Sequence, residues 1–137
     1  MNQVLLDTNI LSYFLRGDSA IVAKFRAYRQ FYPYLSFSIF TYYEIKSGLL
    51  YRDAQRQLSR FEQLAEISEI LDYDRSIADL ASHLYQGLRA KGLLITPIDL
   101  FIGATALHHE YTLITANIKH FQNIPNLKLE NWKEPVP

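Results

Sequence analysis

Residues 4–12 of this 137-residue chain have the sequence VLLDTNILS, and this stretch decides the fold. Three consecutive apolar residues are typical of a short strand that is buried on both faces, and Asp7 ends the apolar run. Apolar residues then return at helical spacing. The stretch therefore predicts a buried strand over 4–6, a helix over 8–15, and a carboxylate at the carboxyl end of the strand.

Strand-like and helix-like segments alternate along the rest of the chain, and no linker, repeat or low-complexity tract is long enough to divide it. This order predicts an α/β sandwich with a mainly parallel sheet. The predicted strands are 4–6, 35–37, 67–71, 112–115 and 127–129, with an irregular turn between the last two. The predicted helices are 8–15, 19–29 with Ser19 as its cap, a third from Ser38 to about Leu50, 53–65, a fifth between Asp74 and Gly92, and a sixth beginning near Asp99.

The composition narrows the classes of function. The chain has 14 Lys and Arg against 14 Asp and Glu, so its zero formal net charge provides no broad field to attract nucleic acid or an anionic membrane. It has no cysteine, which excludes disulfide and thiolate chemistry. Residues 1–3 do not resemble a secretion signal, and no apolar run approaches the roughly 18 residues of a membrane span. We expect a cytoplasmic protein outside the membrane, with one domain over 1–132 and a short C-terminal tail over 133–137.

Three acidic residues lie in apolar segments of the sequence, where a negative charge is unfavourable. Asp7 closes one apolar run, Glu44 interrupts an aromatic segment, and Asp99 opens a nearly uncharged stretch. A buried anion is costly without a cationic partner, so the three together suggest a metal site. Each also has a structural explanation. Asp7 can cap the following helix, Asp99 can complete a capping box that begins at Thr96, and Glu44 can lie on a solvated face beside Lys46.

Two features favour the metal interpretation. Gly48 lies one helical turn after Glu44, and a glycine inside a helix costs about 1 kcal/mol relative to alanine, which predicts a close approach to that face. Residues 100–107 leave no solvent-facing side, so the helix that carries Asp99 is predicted to be central.

The chain resembles PIN-domain ribonucleases of the VapC type, the toxic half of bacterial type II toxin–antitoxin pairs. The resemblance runs from one end of the chain to the other and keeps the order of the motifs. It rests on VLLDTNILS at 4–12, Ser38 with Thr41, Glu44 and Gly48, PID at 97–99 with Ile102, Gly103, Ala104 and Ala106, and TLITAN at 112–117 followed by Phe121, Ile124, Pro125, Leu127 and residues 130–132.

The resemblance implies a PIN-like three-layer α/β/α sandwich with a mainly parallel central sheet. It also implies an endoribonuclease toxin that depends on Mg²⁺, or alternatively Mn²⁺, and that hydrolyses RNA phosphodiester bonds with metal-activated water. The implied partners are the RNA substrate, a VapB-type antitoxin that inhibits the enzyme, and a second copy of the chain in a homodimer.

By matching position, the resemblance assigns metal binding and catalysis to Asp7, Glu44 and Asp99. It adds Asn117 as a fourth catalytic contributor. His120 stands where relatives commonly have an acid, which removes one negative charge from the site. Because imidazole suits manganese better than magnesium, we expect manganese to support more activity. Thr8 and Thr115 are supporting candidates, because a hydroxyl beside an acid can orient a carboxylate or a metal-bound water, and local capping is the alternative for both. His120 is the third supporting residue.

The basic residues divide into two groups. We select Arg16, Lys46 and Lys119 as candidate RNA contacts. Arg16 and Lys46 each lie on a predicted helix that carries, or directly follows, an assigned acid. Arg52, Arg56 and Arg60 fall one turn apart and could form a basic stripe. Because Glu62, Glu66 and Glu69 follow directly, an ordinary solvated helix face is the preferred interpretation of that stripe.

Two other functions remain open at this point. The first is a catalytically weakened PIN-fold binding module, for which His120 would be a sign of decay. The second is a phosphotransferase or receiver-like α/β domain, which also places an Asp after its first strands. That domain needs a second acid close to the first, whereas position 9 is Asn, and it leaves Glu44 and Asp99 unexplained.

Overall fold

The computed structural model describes residues 2–133. Within them the chain forms five short strands and seven helices. The strands are β1 Val4–Leu6, β2 Ser36–Ser38, β3 Glu69–Leu71, β4 Thr112–Ile114 and β5 Leu129–Glu130. The helices are α1 Thr8–Leu15, α2 Ser19–Arg29, α3 Ile39–Tyr51, α4 Gln55–Glu66, α5 Arg75–Ala90, α6 Pro97–His109 and α7 Ile118–Phe121.

Every strand pair among these residues is parallel, as predicted. β4 lies between β1 and β5, with Leu5 opposite Leu113 in the register. β2 and β3 form a second parallel ladder, and β2 lies in contact with β1. At the start of β1, the Val4 backbone N–H donates a hydrogen bond of 3.1 Å to the Tyr28 hydroxyl. This bond satisfies a buried backbone donor that β2 does not reach.

Side chains of β1 alternate between two cores, and this alternation defines three layers. Val4 and Leu6 belong to a core that includes residues of α1 to α4, among them Ile10 and Phe61. Leu5 belongs to a second core built from α5, α6 and α7. Helices therefore cover both faces of the strands. The predicted α/β/α sandwich is confirmed.

α6 is the central helix that the sequence predicted, with Leu100 and Ile102 among its buried residues. Gly103 on this helix allows a close approach, because a Cβ atom there would lie 2.6 Å from Ile124 Cδ1. Although α6 is strongly apolar, no helix among residues 2–133 is both long and apolar enough to cross a membrane.

Several predicted boundaries were wrong. Asp18, not Ser19, caps α2, because its carboxylate accepts a hydrogen bond from the Ile21 backbone N–H at 3.2 Å. α4 begins at Gln55, since Asp53 has a φ of 53° in the left-handed region and cannot continue a helix there. The chain between β4 and β5 contains α7, which was predicted as an irregular turn.

Lys133, the first residue of the predicted tail, contacts two other side chains. Lys133 Nζ donates to Asp18 Oδ2 at 2.5 Å and lies 4.9 Å from the Tyr13 ring centroid. This residue is therefore tied to the start of α2. The rest of the predicted tail, 134–137, lies outside the described residues.

Candidate active site

Asp7 lies at the carboxyl edge of the sheet, directly after β1. Because β1 and β4 are parallel neighbours, Thr115, which directly follows β4, lies beside Asp7. The Thr115 hydroxyl donates a hydrogen bond of 2.8 Å to Asp7 Oδ2. The other carboxylate oxygen, Oδ1, accepts from the Thr8 backbone N–H at 2.8 Å and so caps α1. The capping explanation is correct for Oδ1 only. Oδ2 binds Thr115 and so links the N-terminal and C-terminal parts of the chain.

Glu44 is brought to the same edge by α3. The Ser38 hydroxyl caps this helix by accepting from the Thr41 backbone N–H at 3.2 Å, as predicted. The Thr8 hydroxyl then donates to Glu44 Oε1 at 2.5 Å. Glu44 therefore faces α1 across the cleft and does not lie on an open solvated face.

Asp99 enters the site from α6. The Thr96 hydroxyl accepts from the Asp99 backbone N–H at 3.4 Å, which is half of the predicted capping box. The Asp99 carboxylate does not complete that box. Instead, Asp99 Oδ2 lies 3.1 Å from Nδ1 of His120 on α7, with 22% of the Asp99 side chain and 57% of the His120 side chain exposed.

The three acids line one cavity of about 780 Å³. The cavity is open to solvent, and its wall also includes Asn117, whose backbone N–H donates to the Thr115 hydroxyl at 3.0 Å. Asn9 connects the two ends of the chain nearby, because its side-chain oxygen accepts from the Ala116 N–H at 3.2 Å. The principal lining residues are Asp7, Thr8, Asn9, Ser12, Tyr13, Arg16, Glu44, Gly48, Arg52, Asp99, Asn117 and His120.

The pKa of Asp7 is raised from its ordinary value of 3.8 to about 6, and burial is the largest cause. The hydrogen bonds from Thr115 and Thr8 lower the pKa, whereas the negative charges of Asp99 and Glu44 raise it. Crowding of the acids therefore acts in the direction that the sequence predicted, but burial is the larger cause. Asp7 forms no salt bridge within residues 2–133, so its negative charge is buried without a cationic partner.

The chemistry of these side chains fits a divalent cation. Carboxylate oxygens are the ligands that hard cations prefer, and a cation would offset the buried charge of Asp7. Within the described part of the chain, however, no three His, Asp or Glu side chains are already arranged as a metal-ligand group. Glu44 and Asp99 instead share hydrogen bonds with Thr8 and His120.

The predicted RNA contacts are only partly near this cavity. Arg16 lines it, with its guanidinium carbon 5.0 Å from the Tyr13 ring centroid. Lys46 lies in a separate shallow pocket, where its ammonium group is 3.2 Å from the Tyr42 hydroxyl and 3.6 Å from Glu62 Oε1. Lys119 is exposed and is not part of the cavity wall.

Sequence reasoning missed Arg52, which it grouped with a solvated face. Arg52 lines the cavity, and its Nη1 atom would lie only 3.3 Å from a Cβ atom placed on Gly48. The close approach predicted at Gly48 is confirmed, and the approaching group is this guanidinium. The glycine one helical turn before the arginine was the signal that could have identified it.

The fold and the acidic cleft define a PIN domain, and the chain belongs to that family, whose match covers residues 4–127. Among characterised relatives, it is 30% identical over 131 residues to Ribonuclease VapC1 from Haemophilus influenzae, which covers 93% of this chain and 96% of that protein. It is 44% identical to Ribonuclease VapC2 from Rickettsia felis over 64 residues, which is about half the length of either protein.

Two solved structures are similar over nearly the whole chain. One is VapBC2 from Rickettsia felis bound to a DNA fragment from its promoter, with a TM-score of 0.87, 28% identity, and coverage of 95% of this chain and 98% of that one. The other is DNA-bound VapBC from Salmonella typhimurium, with a TM-score of 0.85, 25% identity, and coverage of 96% and 99%.

Proposed function

We propose that this chain is a divalent-metal-dependent endoribonuclease toxin of the VapC type, which a VapB-type antitoxin inhibits. One observation carries the proposal. Asp7, Glu44 and Asp99 come from three separate elements and line a single cavity at the carboxyl edge of the sheet. The ribonuclease names of its relatives and the VapBC complexes among similar structures support the same conclusion.

Asp7, Glu44 and Asp99 are the residues that would hold Mg²⁺ or Mn²⁺. When bound, such an ion makes water more acidic and neutralises charge on phosphate oxygens. The hydroxyls of Thr8 and Thr115 hold two of the carboxylates in position, which limits their rotation before the substrate enters.

In the proposed reaction, water attacks the phosphorus of an RNA phosphodiester. The bond from phosphorus to the 3′ oxygen breaks, and that oxygen takes up a proton. The products then carry a 5′-phosphate and a 3′-hydroxyl. Asn117 is placed on the cavity wall, where its amide can orient the attacking water or a phosphate oxygen.

The partners belong to the same proposal. RNA is the substrate, a VapB-type antitoxin covers the toxin, and two copies of the chain form a dimer in the cytoplasm. Copurification with the product of the neighbouring gene tests the antitoxin, and light scattering of the purified chain tests the dimer. Absence of a bound partner together with absence of toxicity on overexpression would contradict a toxin role.

Cleavage of RNA by the purified chain tests the enzymatic part. We expect cleavage with Mg²⁺ or Mn²⁺, loss of cleavage with a chelator, and loss of at least a hundredfold in activity for Asp7→Asn. The matched control is Asp79→Asn, because Asp79 is exposed on α5 and lies outside the cavity. Sequencing of the new 5′-phosphate ends in cells after induction would identify the RNA. Undiminished cleavage by Asp7→Asn would contradict the proposal.

The second candidate is a PIN-fold binding module with weakened catalysis. It is favoured by His120, which stands where relatives commonly have an acid and contacts Asp99. RNA binding without cleavage, across a titration of both ions, would support this candidate over the enzyme.

A further inference from the structure

The acidic cavity has a basic end. Arg16 and Arg52 both lie on its wall, opposite in charge to the three acids. Arg16 is the C-cap residue of α1, and Arg52 is the C-cap residue of α3. The two helices begin beside the acids, because Asp7 caps α1, and Thr41 in the first turn of α3 lies 3.2 Å from the Thr8 hydroxyl that contacts Glu44. Each arginine therefore lies at the far end of a helix that starts at the acidic edge.

Both arginine side chains fold back along their own helices toward the acids. The Arg16 guanidinium lies over the ring of Tyr13, three residues earlier. Arg52 Nη1 lies over Gly48, four residues earlier, where the missing Cβ leaves room for it. Side chains on a helix lean toward its N-terminus, so this direction is the expected one. Without a side chain at position 48, the guanidinium can lie flat against α3.

Neither guanidinium is paired with an acid among the described residues. Within residues 2–133, the salt bridges involve Lys46, His83, His120 and Lys133, and none involves Arg16 or Arg52. Both arginines are exposed, so water solvates their charges and their guanidinium groups can bind a ligand that enters the cavity. An anionic ligand that spans both ends of the cavity would contact them.

The spacing along α3 indicates which anion this is. Gly48 follows Glu44 by one turn, a rise of about 6 Å, so the Arg52 guanidinium lies about one turn from the acid. A guanidinium bonds a phosphate oxygen at about 2.7–2.9 Å, which is a shorter distance than this helical rise. A neighbouring phosphate of the same strand fits better.

On the basis of the proposed function, we propose that Arg52 and Arg16 bind the RNA phosphate that flanks the scissile one. Gly48 is then a positioning residue, because it provides the space in which the Arg52 guanidinium lies. The arginines act on substrate binding and not on the chemical step. Their planar guanidinium groups suit two-pronged contacts with phosphate oxygens, which lysine does not provide.

Steady-state cleavage of a short single-stranded RNA tests this proposal. We expect Arg52→Ala and Arg16→Ala each to raise KM about tenfold with kcat within twofold of wild type, and Arg52→Lys to recover only part of the loss. Arg56→Ala is the matched control, because Arg56 is exposed on α4 and is not part of the cavity wall. Unchanged KM in Arg52→Ala and Arg16→Ala, in a wild-type protein that cleaves, would overturn this proposal and leave the proposed function intact.

RNA binding separates the two proposals if cleavage is absent. The probe is a fluorescently labelled single-stranded RNA, bound to the Asp7→Asn protein in a chelator at several salt concentrations. We expect each arginine removed to lower the slope of log affinity against log salt by about 0.7. An unchanged slope in both arginine variants would overturn the inference.

A double-mutant cycle tests the role of Gly48. Gly48→Leu keeps both arginines but occupies the space beside the helix, so it should weaken RNA binding about as much as Arg52→Ala. Adding Gly48→Leu to Arg52→Ala should then cause no further loss. A further loss of tenfold in the double variant would show that leucine obstructs RNA directly, and would overturn the positioning role.

Discussion

His120 Nδ1 lies 3.1 Å from Asp99 Oδ2, which connects α7 to the acid at the start of α6. The imidazole thus contacts Asp99 Oδ2, a carboxylate oxygen that would otherwise be available to a cation. Since 57% of the His120 side chain is exposed, the ring has room to move when a ligand enters. The same contact gives the site a nitrogen donor among carboxylates, with consequences for the choice of ion.

We predict that manganese supports more activity than magnesium and that His120→Asp narrows the difference. Magnesium prefers hard oxygen ligands and retains its water, whereas manganese accepts imidazole more readily. Initial rates and melting temperatures in titrations of each ion provide the measurement. Identical titration curves for the two ions in both proteins would contradict the prediction.

Asp7→Asn should stabilise the fold above pH 6 in the absence of a divalent cation. The pKa of Asp7 is raised from 3.8 to about 6, so the folded state binds its proton more tightly than the unfolded state does. The stability associated with that proton is present below about pH 4 and is lost as the pH rises to about 6. The shift corresponds to a gain of about 3 kcal/mol for the variant at pH 8.

Urea unfolding of both proteins at pH 4 and pH 8, in a chelator, measures this effect. Asparagine retains the capping acceptor for the Thr8 N–H, so the variant should fold. The difference between the proteins should shrink toward pH 4. A variant that is no more stable than wild type at pH 8 would show that burial of Asp7 carries little electrostatic cost.

Divalent cations should raise the melting temperature, because a ligand that binds only the folded state stabilises it by mass action. At a hundred times the dissociation constant, the gain is about 2.7 kcal/mol, or on the order of 10 °C for a chain of this size. Asp99→Asn should reduce this response by removing one negative ligand, whereas Asp79→Asn should retain it. Equal responses in the two variants would exclude Asp99 as a ligand. Thermal scans against ion concentration provide the measurement.

Two glycines in helices should respond in opposite ways to alanine. Gly48→Ala should stabilise the protein by up to about 1 kcal/mol, because alanine favours the helix and only the flexible end of Arg52 lies near the new atom, at 3.3 Å. Gly103→Ala should destabilise it by about 1–3 kcal/mol, since the new atom would lie 2.6 Å from buried Ile124. Urea unfolding of both variants measures the two changes. Destabilisation by Gly48→Ala would indicate that Arg52 cannot move aside.

Local patterns were sufficient for most of the fold. The apolar run before Asp7, the caps at Ser38 and Asp74, and the uncharged segment of α6 each depend on a few adjacent residues. Where two capping residues stand side by side, as at Asp18 and Ser19, the pattern does not distinguish them, and the prediction was wrong. The four-residue helix α7 is too short to show a period, so the sequence did not indicate it.

The sequence by itself determined the α/β order, the parallel sheet and the three acids that end up on one cavity, because each follows from periodicity and from charge in an apolar context. Only the tertiary structure decided which side chains meet. Thr8 reaches Glu44 across 36 positions, His120 reaches Asp99 across 21, and the exposed Arg52 lies over Gly48 on the cavity wall. Such contacts depend on how helices are placed against one another and on how each side chain is directed, and neither is encoded in local spacing.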